Sequence, residues 1–115
     1  MPGNSTFLVH WKSRVLFPNK EMRDGVISRV KQGGFELTSD RAAPIGSEIA
    51  IEFYVKYRDK PNRIRAKASV TYCRITSNGD SLIRLTITQI GREENHTLNN
   101  VLQAFAESDS FDLRV

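Results

Sequence analysis

Arg29 and Lys31 stand two positions apart, immediately ahead of the pair Gly33-Gly34. Two cations beside a turn with exposed backbone amides attract anions, phosphates in particular, so this corner is the first place where binding chemistry can be read. Arg63, Arg65 and Lys67 share one side of an alternating run, with Lys56, Arg58 and Lys60 across a turn. A barrel that grips single-stranded nucleic acid uses such a face, normally with interleaved aromatics on which bases stack. Only Tyr54 accompanies these cations, and Glu48 and Glu52 fall on the same side to pair with them, so a solvated strand face is the better reading. Cys73 with His10 or His96 would be a thiol and its base, but no motif ties them and Cys73 falls mid-strand. Two histidines and scattered carboxylates match no metal-ligand spacing. No catalytic residue, metal or cofactor is expected, and the chain reads as a binding module, not an enzyme.

The whole chain bounds what these residues can belong to. Its 115 residues, 39% hydrophobic and 26% charged, suit one globular domain and leave too little for two cores. The formal charge of +4 and a pI near 9.5 make an anionic partner physically reasonable. A single cysteine precludes an internal disulfide and favours a reducing compartment, so a cytoplasmic address is expected. No stretch approaches the roughly 20 apolar residues of a membrane-spanning helix.

Alternation with a period of two runs from the N-terminus to about Ile90 and predicts strands. Phe7, Val9, Trp11, Val15 and Phe17 form one face of a first strand, with His10, Lys12 and Arg14 opposite and Ser13 as the polar intruder. Pro18-Asn19-Lys20 breaks it, and a second strand spans about Gly25 to Val30. Gly33-Gly34 predicts a tight reversal into a short strand at Phe35 and Leu37. A loop from Thr38 to Gly46 precedes the clearest strand, Ile49, Ile51, Phe53, Val55 and Tyr57. Arg58 to Asn62 predicts a turn, Ile64 to Tyr72 a fifth strand, Asn78-Gly79 a hairpin, and Leu82 to Ile90 a sixth strand.

After Gly91 the period changes. Leu98, Val101, Leu102 and Phe105 fall at i, i+3, i+4 and i+7 and predict a short amphipathic helix. Its apolar stripe packs by default on its own domain, and is alternatively a docking surface for a partner. Closing the strands removes two sheet edges, so the expected fold is all-β with one C-terminal helix: a six-stranded antiparallel barrel over 7–107, with an N-terminal arm at 1–6 and an aperiodic tail at 108–115.

The order of landmarks resembles the PilZ domain. The likeness is carried by Gly25-Val26, by Arg29 to Leu37 around the glycine pair, by Ala43-Pro44-Ile45-Gly46-Ser47-Glu48-Ile49, and by the closing helix from Leu98 to Phe105. The resemblance implies a bacterial module related to cyclic di-GMP signalling. Family members hold that dinucleotide with Arg-x-x-x-Arg before the first barrel strand and Asp/Asn-x-Ser-x-x-Gly at the second turn. This chain departs from both: no Arg-x-x-x-Arg occurs, Arg29 stands at the acid or amide position, Lys31 at the serine, and only Gly34 is kept. PilZ-like domains without these residues act through protein contacts, for example in type IV pilus assembly, and a protein partner is what the resemblance implies here. If a divergent nucleotide site exists, its candidates are Arg29, Lys31, Gly33, Gly34 and Arg14.

Overall fold

A computed structural model describes residues 5–112, with side chains to Glu107. Six strands precede one helix: β1 (Phe7–Leu16), β2 (Met22–Lys31), β3 (Gly34–Ser39), β4 (Glu48–Tyr57), β5 (Lys60–Ile75), β6 (Ser81–Ile90) and α1 (Arg92–Asp112). They close into the expected six-stranded antiparallel barrel, with strand order β1-β2-β3-β6-β5-β4.

The inward sets are those of the sequence pattern except at Tyr72, expected inward with Ile64 to Val70 on β5 but turned to solvent by a bulge between Val70 and Tyr72. Val15, Ile27, Leu37, Ile49, Phe53, Ile64, Val70 and Ile83 are almost wholly buried, and this shared apolar face fixes the register, since a one-residue slip would turn it to solvent. Ser13 faces the same interior without penalty because its hydroxyl donates to the Gly25 carbonyl at 3.0 Å. One irregularity in β2 lies between Ile27 and Arg29, a bulge that sends both Arg29 and Lys31 outward.

The double-glycine hairpin links β2 to β3, with Lys31 opposite Gly34. The two glycines are needed for different reasons. Gly33 has φ +82°, where a side chain is strained, whereas Gly34 is extended and packed: a Cβ there would lie 2.8 Å from the Leu85 carbonyl oxygen on β6.

Several boundaries differ from the sequence expectation. The reversal expected over Arg58 to Asn62 is a two-residue turn in which Arg58 and Asp59 take positive φ, so Pro61 and Asn62 already pair in β5. Asn78-Gly79 does form a hairpin, but in a wider loop closed by Thr76 N donating to the Asp80 carbonyl at 2.7 Å. The helix expected to be short has 21 residues and runs through most of the stretch read as an aperiodic tail. Of the N-terminal arm only Ser5 and Thr6 lie among the described residues.

Helix α1 completes the core. Pairing of β1 with β4 spans Ser13 to Leu16 against Ala50 to Phe53 only, so the start of β1 and the end of β4 splay apart. Into that opening Leu98, Val101 and Leu102 are buried, and the Phe105 ring lies 5.6 Å from Phe7 and 6.3 Å from Trp11, which itself stacks on Phe53 at 5.4 Å. The stripe read alternatively as a partner surface is thus turned inward, because the barrel is incomplete without it.

Candidate functional site

Arg29 lies beside Lys31 on the outer face of β2, and a cleft of about 470 Å³ opens over them toward β5. Pairing sets the cleft's chemistry. Arg29 is opposite Glu36 on β3, Glu36 opposite Arg84 on β6, and Arg84 opposite Tyr72 on β5, so one outward row crosses four strands. Side chains opposite one another on the same sheet face stand close enough to interact directly.

The contacts follow that row. Glu36 Oε1 meets Arg29 Nε at 3.1 Å, and Oε2 meets Arg84 Nε at 3.1 Å. The carboxylate is largely covered, its side chain 14% exposed, while the two guanidiniums remain more than half open to solvent at 53% and 57%. Arg84 also lies over the Tyr72 ring, 4.7 Å from its centroid, a cation-π geometry that holds the guanidinium flat. Each arginine gives its Nε to Glu36, which leaves terminal N–H groups of a rigid fork for an incoming anion. Lys31 and Arg74 complete a rim of four cations against one carboxylate.

Arg14 is not part of this arrangement. It pairs with Asp24 and Glu52, whereas Arg29 pairs with Leu8 near the other end of β1, six residues away and about 20 Å along the strand. Gly33 and Gly34 shape the turn beside the cleft and contribute backbone only.

The second basic cluster is tempered by its own strand partner. Glu52 Oε2 lies 3.1 Å from Arg65 Nε and 3.8 Å from Arg63 Nε, so one carboxylate serves both arginines. Glu48 instead accepts from the Thr88 hydroxyl at 3.0 Å. Tyr54 is exposed there, as the alternation predicts, and the exposed aromatic of β5, Tyr72, lies against Arg84 rather than beside the Arg63, Arg65 and Lys67 cluster. Among the described residues no helix is long and apolar enough to cross a membrane, and no cluster of His, Cys, Asp and Glu could hold a metal ion.

No family model matches the chain, and no curated protein matches it. Among solved structures, the barrel is similar to that of the Bacillus subtilis inhibitor of motility (MotI/DgrA), with a TM-score of 0.78 over 90% of this chain and 50% of that one. The fold is PilZ-like. At 9% identity the likeness is one of architecture, and the chain spans half the length of that structure.

Within the PilZ-like barrel, the cleft residues Glu36, Arg74 and Arg84, together with Tyr72 beside Arg84, are those that sequence reasoning passed over. Alternation marks Glu36 and Arg84 as outward, whereas Tyr72 falls in step with the inward Ile64, Ala66, Ala68 and Val70, and the bulge between Val70 and Tyr72 turns it and Arg74 to the outside instead. What joins them to Arg29 is the passage from β3 directly to β6, a pairing between strands distant in sequence that no local pattern announces.

Proposed function

We propose that this chain is a non-enzymatic, PilZ-like regulatory adaptor that acts by binding a protein partner, with nucleotide affinity weak or lost. The setting implied by the resemblance is bacterial signalling related to cyclic di-GMP, or type IV pilus and surface behaviour. The observation that carries the reading is at the turn between β2 and β3. There Arg29 and Lys31 occupy the places of an acid or amide and a hydroxyl, and the Arg29 guanidinium is engaged by Glu36 at 3.1 Å. A guanine edge that expects a carboxylate and a hydroxyl meets two cations instead. The structural likeness to an inhibitor of motility is consistent with a regulatory role.

A second reading is favoured by one observation, the cationic rim of the same cleft: a cyclic di-GMP receptor with a divergent basic site. Calorimetric titration with the dinucleotide separates the two. The adaptor reading expects no binding in the low micromolar range. A dissociation constant in that range or tighter, abolished by Arg29→Ala, would defeat it. A third reading, a nucleic-acid-binding barrel, needs the Arg63, Arg65 and Lys67 face. It expects single-strand binding that falls steeply with salt and weakens in Arg65→Ala.

A further inference from the structure

On the outer faces of β6 and β5, cations and apolar side chains alternate. Arg84 is opposite Tyr72, and one step along the strands Leu82 is opposite Arg74. Leu82, half-buried, lines the cleft, and Tyr72, 37% exposed, lies at its margin against Arg84, so apolar surface stands between the charges. Arg29 adds a further cation beyond Glu36.

From this arrangement we infer that the cleft docks an acidic, apolar-bearing helical segment of a protein partner, with Arg29, Arg84 and Arg74 meeting its carboxylates and Tyr72 with Leu82 seating an apolar side chain. The inference rests on the adaptor reading and deepens it by giving the partner's chemistry and its place on the barrel.

Charge decides the sign of the partner. The cleft is rimmed by four cations and a single carboxylate, so an acidic segment is steered toward it and a basic one repelled. Spacing fits a helix. Arg29 and Arg84 lie two strands apart, about 10 Å at the usual strand separation, and carboxylates at i and i+7 of a helix are about 10.5 Å apart. Glu36 sits between the two arginines and faces the middle of such a segment, which therefore carries a neutral or basic residue there. Preorganisation lowers the ordering cost, because Arg29 is held by Glu36 and Arg84 by both Glu36 and Tyr72. A dinucleotide fits the same place less well. Its phosphates meet the carboxylate at the centre of the row, and the Leu82 surface offers nothing to a sugar-phosphate chain.

The test is selection of a phage-displayed random 16-residue peptide library on the full chain, followed by fluorescence anisotropy of the enriched peptides. The expected result is enrichment of acidic, Leu- or Phe-containing sequences. Their affinity should fall at least tenfold in the double variant Arg74→Glu with Arg84→Glu, and at least threefold in Tyr72→Ser. It should stay within twofold in Arg63→Glu, in the other basic cluster, nine residues before Tyr72 along β5. Circular dichroism melts confirm that each variant is folded. The inference is overturned if no peptides are enriched, if those enriched are not acidic, or if they bind the double variant as well as the parent. It is also overturned if cyclic di-GMP binds the cleft in the low micromolar range, and that result alone defeats the adaptor reading with it. A native partner captured equally by parent and double variant would sink this site while leaving the adaptor reading in place.

Discussion

Glu36 and Arg84 stand 48 positions apart in the chain yet are direct cross-strand neighbours, with Arg84 Nε donating to Glu36 Oε2 at 3.1 Å. Arg29 approaches the other oxygen of the same carboxylate, so one acid ties together β2, β3 and β6 on the outside of the barrel. The contact holds two guanidiniums in place at the candidate site and leaves them more than half exposed.

Replacing Glu36 by Gln tests that tie. Exposed ion pairs are worth little, but this carboxylate is largely covered and serves two arginines, so a loss of about 1 kcal/mol is expected in urea denaturation. The difference should shrink in high salt, because both arginine partners face solvent. A loss that is the same at high and low salt would assign the effect to packing.

The glycine pair should respond asymmetrically. At Gly33 the cost is backbone strain, about 1 kcal/mol for Ala, and Asn should recover part of it because it tolerates left-handed backbone. At Gly34 the cost is collision with the Leu85 carbonyl, so Ala should cost about 1–3 kcal/mol and Asn at least as much. Chemical denaturation of the four variants checks the pattern; recovery by Asn at Gly34 would contradict it.

Helix α1 should be inseparable from the barrel. Leu98 is 2% exposed, and Leu98→Ala is expected to cost about 2–4 kcal/mol through lost burial and the cavity left behind. Trp11 reports the same docking: with Phe105 at 6.3 Å and Phe53 at 5.4 Å, its emission should shift to the red in Phe105→Ala. Unchanged stability and emission would mean that the helix is a detachable surface element.

Acid should loosen the loops at the far end. The Glu21 carboxyl is held below its ordinary range chiefly by its hydrogen bond from Arg23, with the charges of Arg23 and Arg41 adding to the effect. A folded pKa below the unfolded one gives stability that is present above the unfolded value and lost as pH falls through the folded value. Glu21→Gln should therefore lower the melting temperature slightly at neutral pH, where the ionised carboxylate is paired, and flatten part of the decline below about pH 4.5, so that the two profiles converge in acid. An identical acid profile in parent and variant would remove Glu21 from the account.

Alternation of apolar and polar residues was enough to place the strand centres, because a half-buried strand writes its inward face into every second residue. Phe53, Val15 and Ile64 could be assigned to the interior on that ground alone, and the change to helical spacing at Leu98 marked the end of the sheet. The glycine pair named its own turn, since few residues tolerate what Gly33 must adopt. Strand order is another matter. The passage from β3 to β6 and the closure of β1 on β4 are non-local pairings, settled by how one shared apolar volume is enclosed. That enclosure also decided that the helix stripe is core, because β1 and β4 splay apart where α1 brings Phe105 against Phe7 and Trp11. It assembled Arg29, Glu36, Arg84 and Tyr72 from four separate stretches of sequence and left Arg14 at the distant end of its strand. Local patterns record which way a side chain points, and only the closed barrel determines whom it meets.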